Sequence, residues 1–263
     1  MHGGIRFYRG SPTVTHADLE ARLSSRRADS SFDPPGVPVR FRVSPAPPVH
    51  GREDVTMVER HGTLDRAAYR RWVAGYDPDT GVAKGQLRQG PHALRLVELG
   101  INGPKTWSIA AALHSDIAAA YDNAQHRAAL AVLVWLAERV TTRVGPQGHQ
   151  VEVPVEHLEA VLIRGETSRA GDPHRHLRVQ VNARVFAHGA WRGLHTSRLG
   201  HEAKFINEIG HNAMIADPEF RRAIESHGYV LDDIAEIQQL TPCTQSVNQR
   251  RAQILRYLNQ VGV

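Results

Sequence analysis

The nine residues His174-Arg-His-Leu-Arg-Val-Gln-Val-Asn182 constrain this chain more than any others, because their chemistry alternates with a period of two. In an extended strand His174, His176, Arg178, Gln180 and Asn182 share one face, and Leu177, Val179 and Val181 share the other. The apolar face needs a core to cover it. The opposite face either meets water or forms a site, because histidines, arginines and amides taken out of water need hydrogen bonds or a metal.

A chain of 263 residues can bury a full core, as one large domain or two small ones. No run of about 18 apolar residues occurs, and Met1-His-Gly-Gly-Ile-Arg6 lacks the layout of a signal peptide. The expectation is a soluble cytoplasmic protein with no membrane partner. Cys243 is the only cysteine, which excludes an internal disulfide and a thiolate zinc site. A metal here would be held by imidazole and carboxylate. The formal charge of +5 and a pI near 9.7 suit a polyanionic partner. The basic residues are almost all arginine, with Lys84, Lys105 and Lys204 the only lysines. Arginine's planar fork suits phosphate, although a GC-rich genome gives the same bias.

Along the chain, Ile5 to Tyr8 reads as a strand, followed by a helix capped at Thr15 with Asp18 three residues on. The proline-rich segment 30–52 is expected to be mobile and to hold a strand from Val37 to Val43. A helix is predicted from Thr63 to Gly75, a turn at Asp77-Pro-Asp-Thr-Gly81, and a strand from Leu94 to Ile101 carrying Glu98. That strand leads into a helix containing Lys105 and Ser108. The longest helix covers Ser115 to Val140, capped by Ser115, with Ile117, Tyr121, Ala124, Ala128, Ala131 and Trp135 on its core face. A hairpin at Gly145-Pro-Gln-Gly148 joins Thr141–Val144 to Gln150–Val155. Leu158–Arg164 and His176–Phe186 read as neighbouring strands, and Ala190–Leu194 returns after Gly189. Helices follow over Glu202–Ala216, Pro218–His227, Asp232–Gln239 and Ser246–Asn259. The mixture lacks a beta-alpha-beta repeat, so the expected class is α+β, a central antiparallel sheet with helices packed on it.

Several stretches in order resemble one family. Val97-Glu-Leu-Gly-Ile-Asn-Gly-Pro-Lys-Thr-Trp-Ser108, Thr167-Ser-Arg-Ala-Gly-Asp-Pro173, His174-Arg-His176 and Val181-Asn182 are similar to the relaxase domain of MobF-class conjugative relaxases, the TrwC type. Trp191-Arg-Gly193 and Arg251-Ala-Gln-Ile254 extend the likeness over nearly the whole chain. The resemblance implies an HUH-endonuclease fold that binds a hairpin and adjoining single strand at a plasmid transfer origin. In that chemistry a tyrosine attacks a phosphodiester to leave a 5′-phosphotyrosine, and three histidines hold a divalent metal that polarises the phosphate. A helicase often follows in the same polypeptide; over residues 1–263 the expectation is a single relaxase-like domain without one.

Carried over residue by residue, the resemblance fails at specific positions. The first metal histidine falls on Gly165, the second on His176 and the third on Arg178. Glycine has no ligand atom and arginine no lone pair to donate. Glu98 stands where the family has the acidic residue that orients a ligand histidine. The nucleophile's place after Arg27-Ala28-Asp29 holds Ser30, Ser31 and Phe32, not tyrosine. Tyr8 is the nearest tyrosine, although its apolar flanks suit the core, and neither Ser30 nor Ser31 has a base to activate it. Arg178 is expected to take the metal's place and contact phosphate with its fork. A displaced site for Mg, Mn or Zn on His174, His176 and Glu98 is the alternative to an ordinary hydrogen-bonded histidine pair.

DNA contacts are expected from Arg178, Lys105 at a helix start, Arg169, Arg175, and Arg22, Arg26 and Arg27, the last three also readable as a solvated helix face. His211 is expected to pack within a helix. The leading expectation is a relaxase-like DNA-binding protein without metal-dependent nicking, and without a cofactor unless the His174/His176 pair functions. The alternatives are an active single-strand endonuclease or strand transferase with relocated residues, and a regulatory or protein-interaction remnant. Its partners would be single-stranded or hairpin DNA of a transfer origin, and a full-length relaxase or helicase.

Overall fold

The alternation at 174–182 builds the longest strand of the protein, Pro173–Ala187, and the rest of the sheet assembles around it. The computed structural model describes residues 4–11, 35–45, 56–168, 170–197 and 199–247. The expected helix after Thr15, most of the proline-rich segment and the last expected helix lie outside these residues.

Nine strands are described: β1 (Ile5–Arg9), β2 (Val39–Ser44), β3 (Met57–Thr63), β4 (Leu94–Ile101), β5 (Thr141–Val144), β6 (Val151–Pro154), β7 (His157–Thr167), β8 (Pro173–Ala187) and β9 (Ala190–His195). The helices are α1 (Arg66–Ala74), α2 (Lys105–Leu113), α3 (Ser115–Arg139), α4 (Leu199–Ile215) and α5 (Pro218–Ser226). The sheet runs β3-β2-β7-β8-β9-β5-β6, with β4 and β1 added beside β8. All pairings are antiparallel. The first half of β8 pairs with β4 and its last residues pair with β9. The class is α+β, as the sequence indicates.

One face of the sheet carries Val97, Leu99, Leu177, Val179 and Val181 against α2, α3, α4 and α5, and this is the main core. The other face is crossed by α1, where Leu64, Ala68, Tyr69, Trp72 and Val73 pack on Leu96, Val161 and Ile163. Among the described residues no helix is long and apolar enough to cross a membrane.

Five local departures from the sequence expectations are present. Thr63 ends β3 opposite Val39; the helix starts after Asp65, whose carboxylate caps Ala68 N at 2.7 Å. β3 itself was not expected, because its side chains are mostly polar and exposed. His114, in an extended conformation, precedes α3, leaving Ser115 inside the helix. On α3 the core side follows Ala129, Val132, Leu133 and Leu136, while Ala131 is exposed and Trp135 only half-buried. No helix forms from Asp232: its carboxylate accepts from Ile234 N and Glu236 N, and Ala235 takes a positive φ of 62°. A 3-10 turn then spans Gln238–Thr244.

Asp217 caps α5, accepting from Glu219 N and Phe220 N, and is gripped by Arg127 Nε at 2.6 Å. Burial pushes its carboxyl up, but Arg127 and the capped amides pull it further, below the ordinary carboxylate value. A depressed folded value stabilises above the unfolded value and stops doing so as pH falls through it. We predict that Asp217→Ala costs about 1–2 kcal/mol near pH 7. Urea midpoints should show that gap closing below about pH 4; a gap unchanged by acid would exclude this role.

Candidate functional site

On the polar face of β8, α1 covers the middle, while towards Pro173 the face carries His174 and His176, both half-buried, and the buried Arg178. Leu64 N bonds Pro38 O and Gly36 N bonds Arg164 O, so α1 starts where β7 approaches Gly165. It ends at Gly75, packed beside Arg184. Under α1, Tyr69 OH donates to Gln180 Oε1 at 2.6 Å, and Asn182 Nδ2 donates to Trp72 O at 2.8 Å. Gln180 Nε2 in turn donates to Glu98 Oε2 at 2.9 Å, and Tyr8 OH donates to Glu98 Oε1 at 3.2 Å. Burial pushes the Tyr69 hydroxyl well above its ordinary value, so it stays a donor.

Beyond this network the strand registers bring the expected site positions together. Gly165 pairs with His176; Arg178 pairs with Ile163 on one side and Gly100 on the other; Gln180 pairs with Glu98. Gly165, His176, Arg178 and Glu98 therefore occupy successive rows of one face. His174 shares that face, its ring stacked on His176 at 5.0 Å between centroids.

The imidazole of His176 lies over Gly165: a Cβ on residue 165 would sit 2.5 Å from His176 Nε2. Its Nδ1 is 2.8 Å from His174 O. Burial, with a smaller push from the Arg178 charge, lowers His176 to about 4, although its bond to His174 opposes the shift. The ring is therefore neutral at ordinary pH.

Two expected DNA contacts lie elsewhere. Arg175 points to the helix side, where its Nη1 meets both oxygens of Asp122 at 2.8 and 2.7 Å, and Arg164 joins the same carboxylate at 3.1 Å. Lys105 opens α2, is tied to Pro173 O, and is pushed down by burial. Arg22, Arg26, Arg27, Ser30, Ser31, Phe32 and Arg169 lie outside the described residues. His211 packs in α4 with its ring stacked 6.0 Å from Trp107.

A three-imidazole metal does not fit the residues present. Gly165 offers no donor atom, Arg178 brings a cation, and His176 leans into the space a residue-165 side chain would need. Among the described residues no three His, Cys, Asp or Glu side chains gather to hold an ion. The sequence reading did not single out Tyr69, the roof over Gln180, or the buried pair Lys84–Glu159 beside it. The one signal for the latter was an acidic residue inside the apolar run Leu158–Ile163.

This arrangement can be set against known proteins. No curated protein matches the sequence. A solved structure of the conjugative relaxase TrwC in complex with oriT DNA, metal-bound, is 19% identical with a TM-score of 0.68, covering 98% of this chain and 84% of that one. The copper-bound TrwC complex is 18% identical with a TM-score of 0.68, over 99% of this chain and 84% of that one. TrwC with a 27-mer DNA comprising the recognition hairpin and the cleavage site is 19% identical with a TM-score of 0.65, over 98% and 84%. At such identities the likeness carries the fold. The model of the family described as TrwC relaxase matches residues 49–263, most of the sequence, and the chain accordingly belongs to the TrwC relaxase family.

Proposed function

We propose that this chain is a single relaxase-like domain that binds single-stranded or hairpin DNA of a mobile element's transfer origin without three-histidine metal chemistry. The observation that carries the reading is Arg178, a fixed cation on the polar face of β8 between His176 and Gln180, at the position to which the resemblance would assign a metal ligand. A guanidinium there supplies two aligned donors to a phosphate and keeps the attraction a metal would exert. DNA-bound relatives with this fold support the choice of partner. A cytoplasmic location agrees with such a partner.

The test is fluorescence anisotropy with a labelled transfer-origin oligonucleotide over a salt series, followed by denaturing gels after incubation with divalent metal. Binding should weaken steeply with salt. Arg178→Ala should cost roughly tenfold in affinity and lower the salt slope by about one. No covalent adduct should form; a metal-dependent adduct in the unaltered protein would overturn the reading.

One observation favours a second reading, the bond from Tyr8 OH to Glu98, itself held by Gln180. In that arrangement Tyr8 is a nucleophile and Glu98 its base. Tyr8 oxygen would bond to phosphorus as its proton passes to Glu98, and the phosphorus–oxygen bond to the leaving nucleoside would break as that oxygen takes a proton. An adduct without added metal, absent from Tyr8→Phe, is the mark of this reading.

A further inference from the structure

We propose that the end of the sheet face farthest from His176 holds an unpaired nucleobase of a single strand in a slot between Met57 and His157, with Arg42 on a neighbouring phosphate. The inference rests on the DNA-binding reading above and adds a second contact to it, at a place that reading does not use.

The slot follows from register positions on three neighbouring strands. Ser44 of β2 pairs with Met57 of β3, and Val43 pairs with Leu158 of β7, so the next step of that register sets Ser44 beside His157. Val43 and Leu158 point into the main core, which turns Met57, Ser44 and His157 to the opposite face. The His157 and Phe186 rings lie 4.7 Å apart and 7° from parallel, about one strand spacing, so they face each other across the strands. The other face of His157 therefore looks over Ser44, the smallest side chain of the row, toward Met57. Two strand spacings, about 9–10 Å, separate the two walls, which is room for a flat ring between an imidazole and a thioether.

The place is open to solvent: Met57 is 56% exposed, and Arg42, Ser44 and His157 are only half-buried. Its inner wall is held from behind. Phe186 meets the Trp191 ring at a steep angle 5.6 Å away, and Trp191 lies under the Lys84 ammonium at 4.8 Å. Burial, then the Arg42 charge, lowers His157 below the ordinary imidazole value, so the wall is a neutral ring near pH 7.

Arg42, two residues before Ser44 on the same face, points to the class of ligand. Its Nε is a buried donor without an acceptor, and no described residue bonds the rest of its guanidinium. A flat ring attached to an anion satisfies the wall and the fork together, and stacking beside a cation that follows the backbone is how single strands are held whatever their sequence. Bases stacked within a duplex offer no free face to such a slot.

The test is fluorescence anisotropy of the full chain with labelled single strands of one length, one bearing bases throughout and one abasic along its middle. The base-bearing strand should bind about 5- to 150-fold more tightly. His157→Ala should cut that ratio by about fivefold or more, and His157→Tyr, which restores a flat ring, should recover it. Met57→Ala, at an exposed position, should shrink the ratio in the same sense. Arg42→Ala should weaken both strands alike and lower the salt slope by about one. Circular dichroism melts confirm that each variant is folded. Equal affinity for the two strands, or a ratio untouched by His157→Ala and Met57→Ala in folded variants, overturns the inference and leaves DNA binding standing. Binding of neither strand overturns the DNA-binding reading and this one with it. Dimerisation abolished by Met57→Glu, followed by sedimentation, would give the face to a second copy of the chain and overturn the inference as well.

Discussion

Lys84→Met should lower the unfolding free energy by about 3–5 kcal/mol, the usual cost of stranding one member of a buried ion pair. Lys84 and Glu159 are each about 2% exposed in their side chains, and the ammonium bonds Glu159 Oε2. The same oxygen accepts from Trp72 Nε1 at 3.0 Å, and the Trp191 ring lies 4.8 Å from the ammonium. Burial pushes Lys84 down while its contact with Glu159 opposes that push. Methionine keeps the length of the stem and removes the charge, leaving a carboxylate with nowhere to go. Adding Glu159→Gln should recover most of the loss, since the amide still accepts from Trp72 and no charge remains. Urea denaturation of the three proteins decides the matter; a single variant within 1 kcal/mol of the parent would show that the pair contributes nothing.

Gly165→His combined with Arg178→His is expected to create divalent-metal binding that the parent lacks. Residues 165 and 176 are cross-strand partners and 178 lies two residues further along the same face, so three imidazoles would start within bridging distance. Three nitrogens at about 2.0–2.1 Å suit zinc with one position open. Titration calorimetry should move from no saturable binding to a dissociation constant on the order of micromolar, about −8 kcal/mol. Gly165→His alone should not suffice, because the guanidinium stays and His176 must first vacate the space above residue 165. If the double variant folds and binds no metal, the equivalence of these positions with the family's ligands fails.

Much of this frame is legible in the sequence because period-two alternation is a local property. β4 runs over Leu94–Ile101 as its residues indicate, and the polar face of β8 lies where the alternation puts it. What the sequence could not disclose is pairing at a distance. Asp122 takes Arg175 from 53 residues away, a tie between α3 and β8 that no local pattern announces. Lys84 finds Glu159 across 75 residues, and Tyr69 finds Gln180 across 111. Helix starts failed for a related reason. Asp65 and Thr63 are both plausible caps by type, and the choice falls to Asp65 because Thr63 is already committed to β2.

The division of β8 between two partners on one edge has a mechanical consequence. Between Asn182, the last residue facing β4, and Arg184, the first facing β9, the sheet forks, and Arg184 N is bonded by the Asn182 side chain. The loop after α1 enters this fork: Arg184 Nε holds Lys84 O, and Gly85 passes so near Trp191 O that any Cβ there would overlap it. The loop is thus a wedge driven between two wings of the sheet. Bending one wing against the other would have to expel it along with the buried charge it carries, so the plate that bears the His176 end is stiffened from its far side.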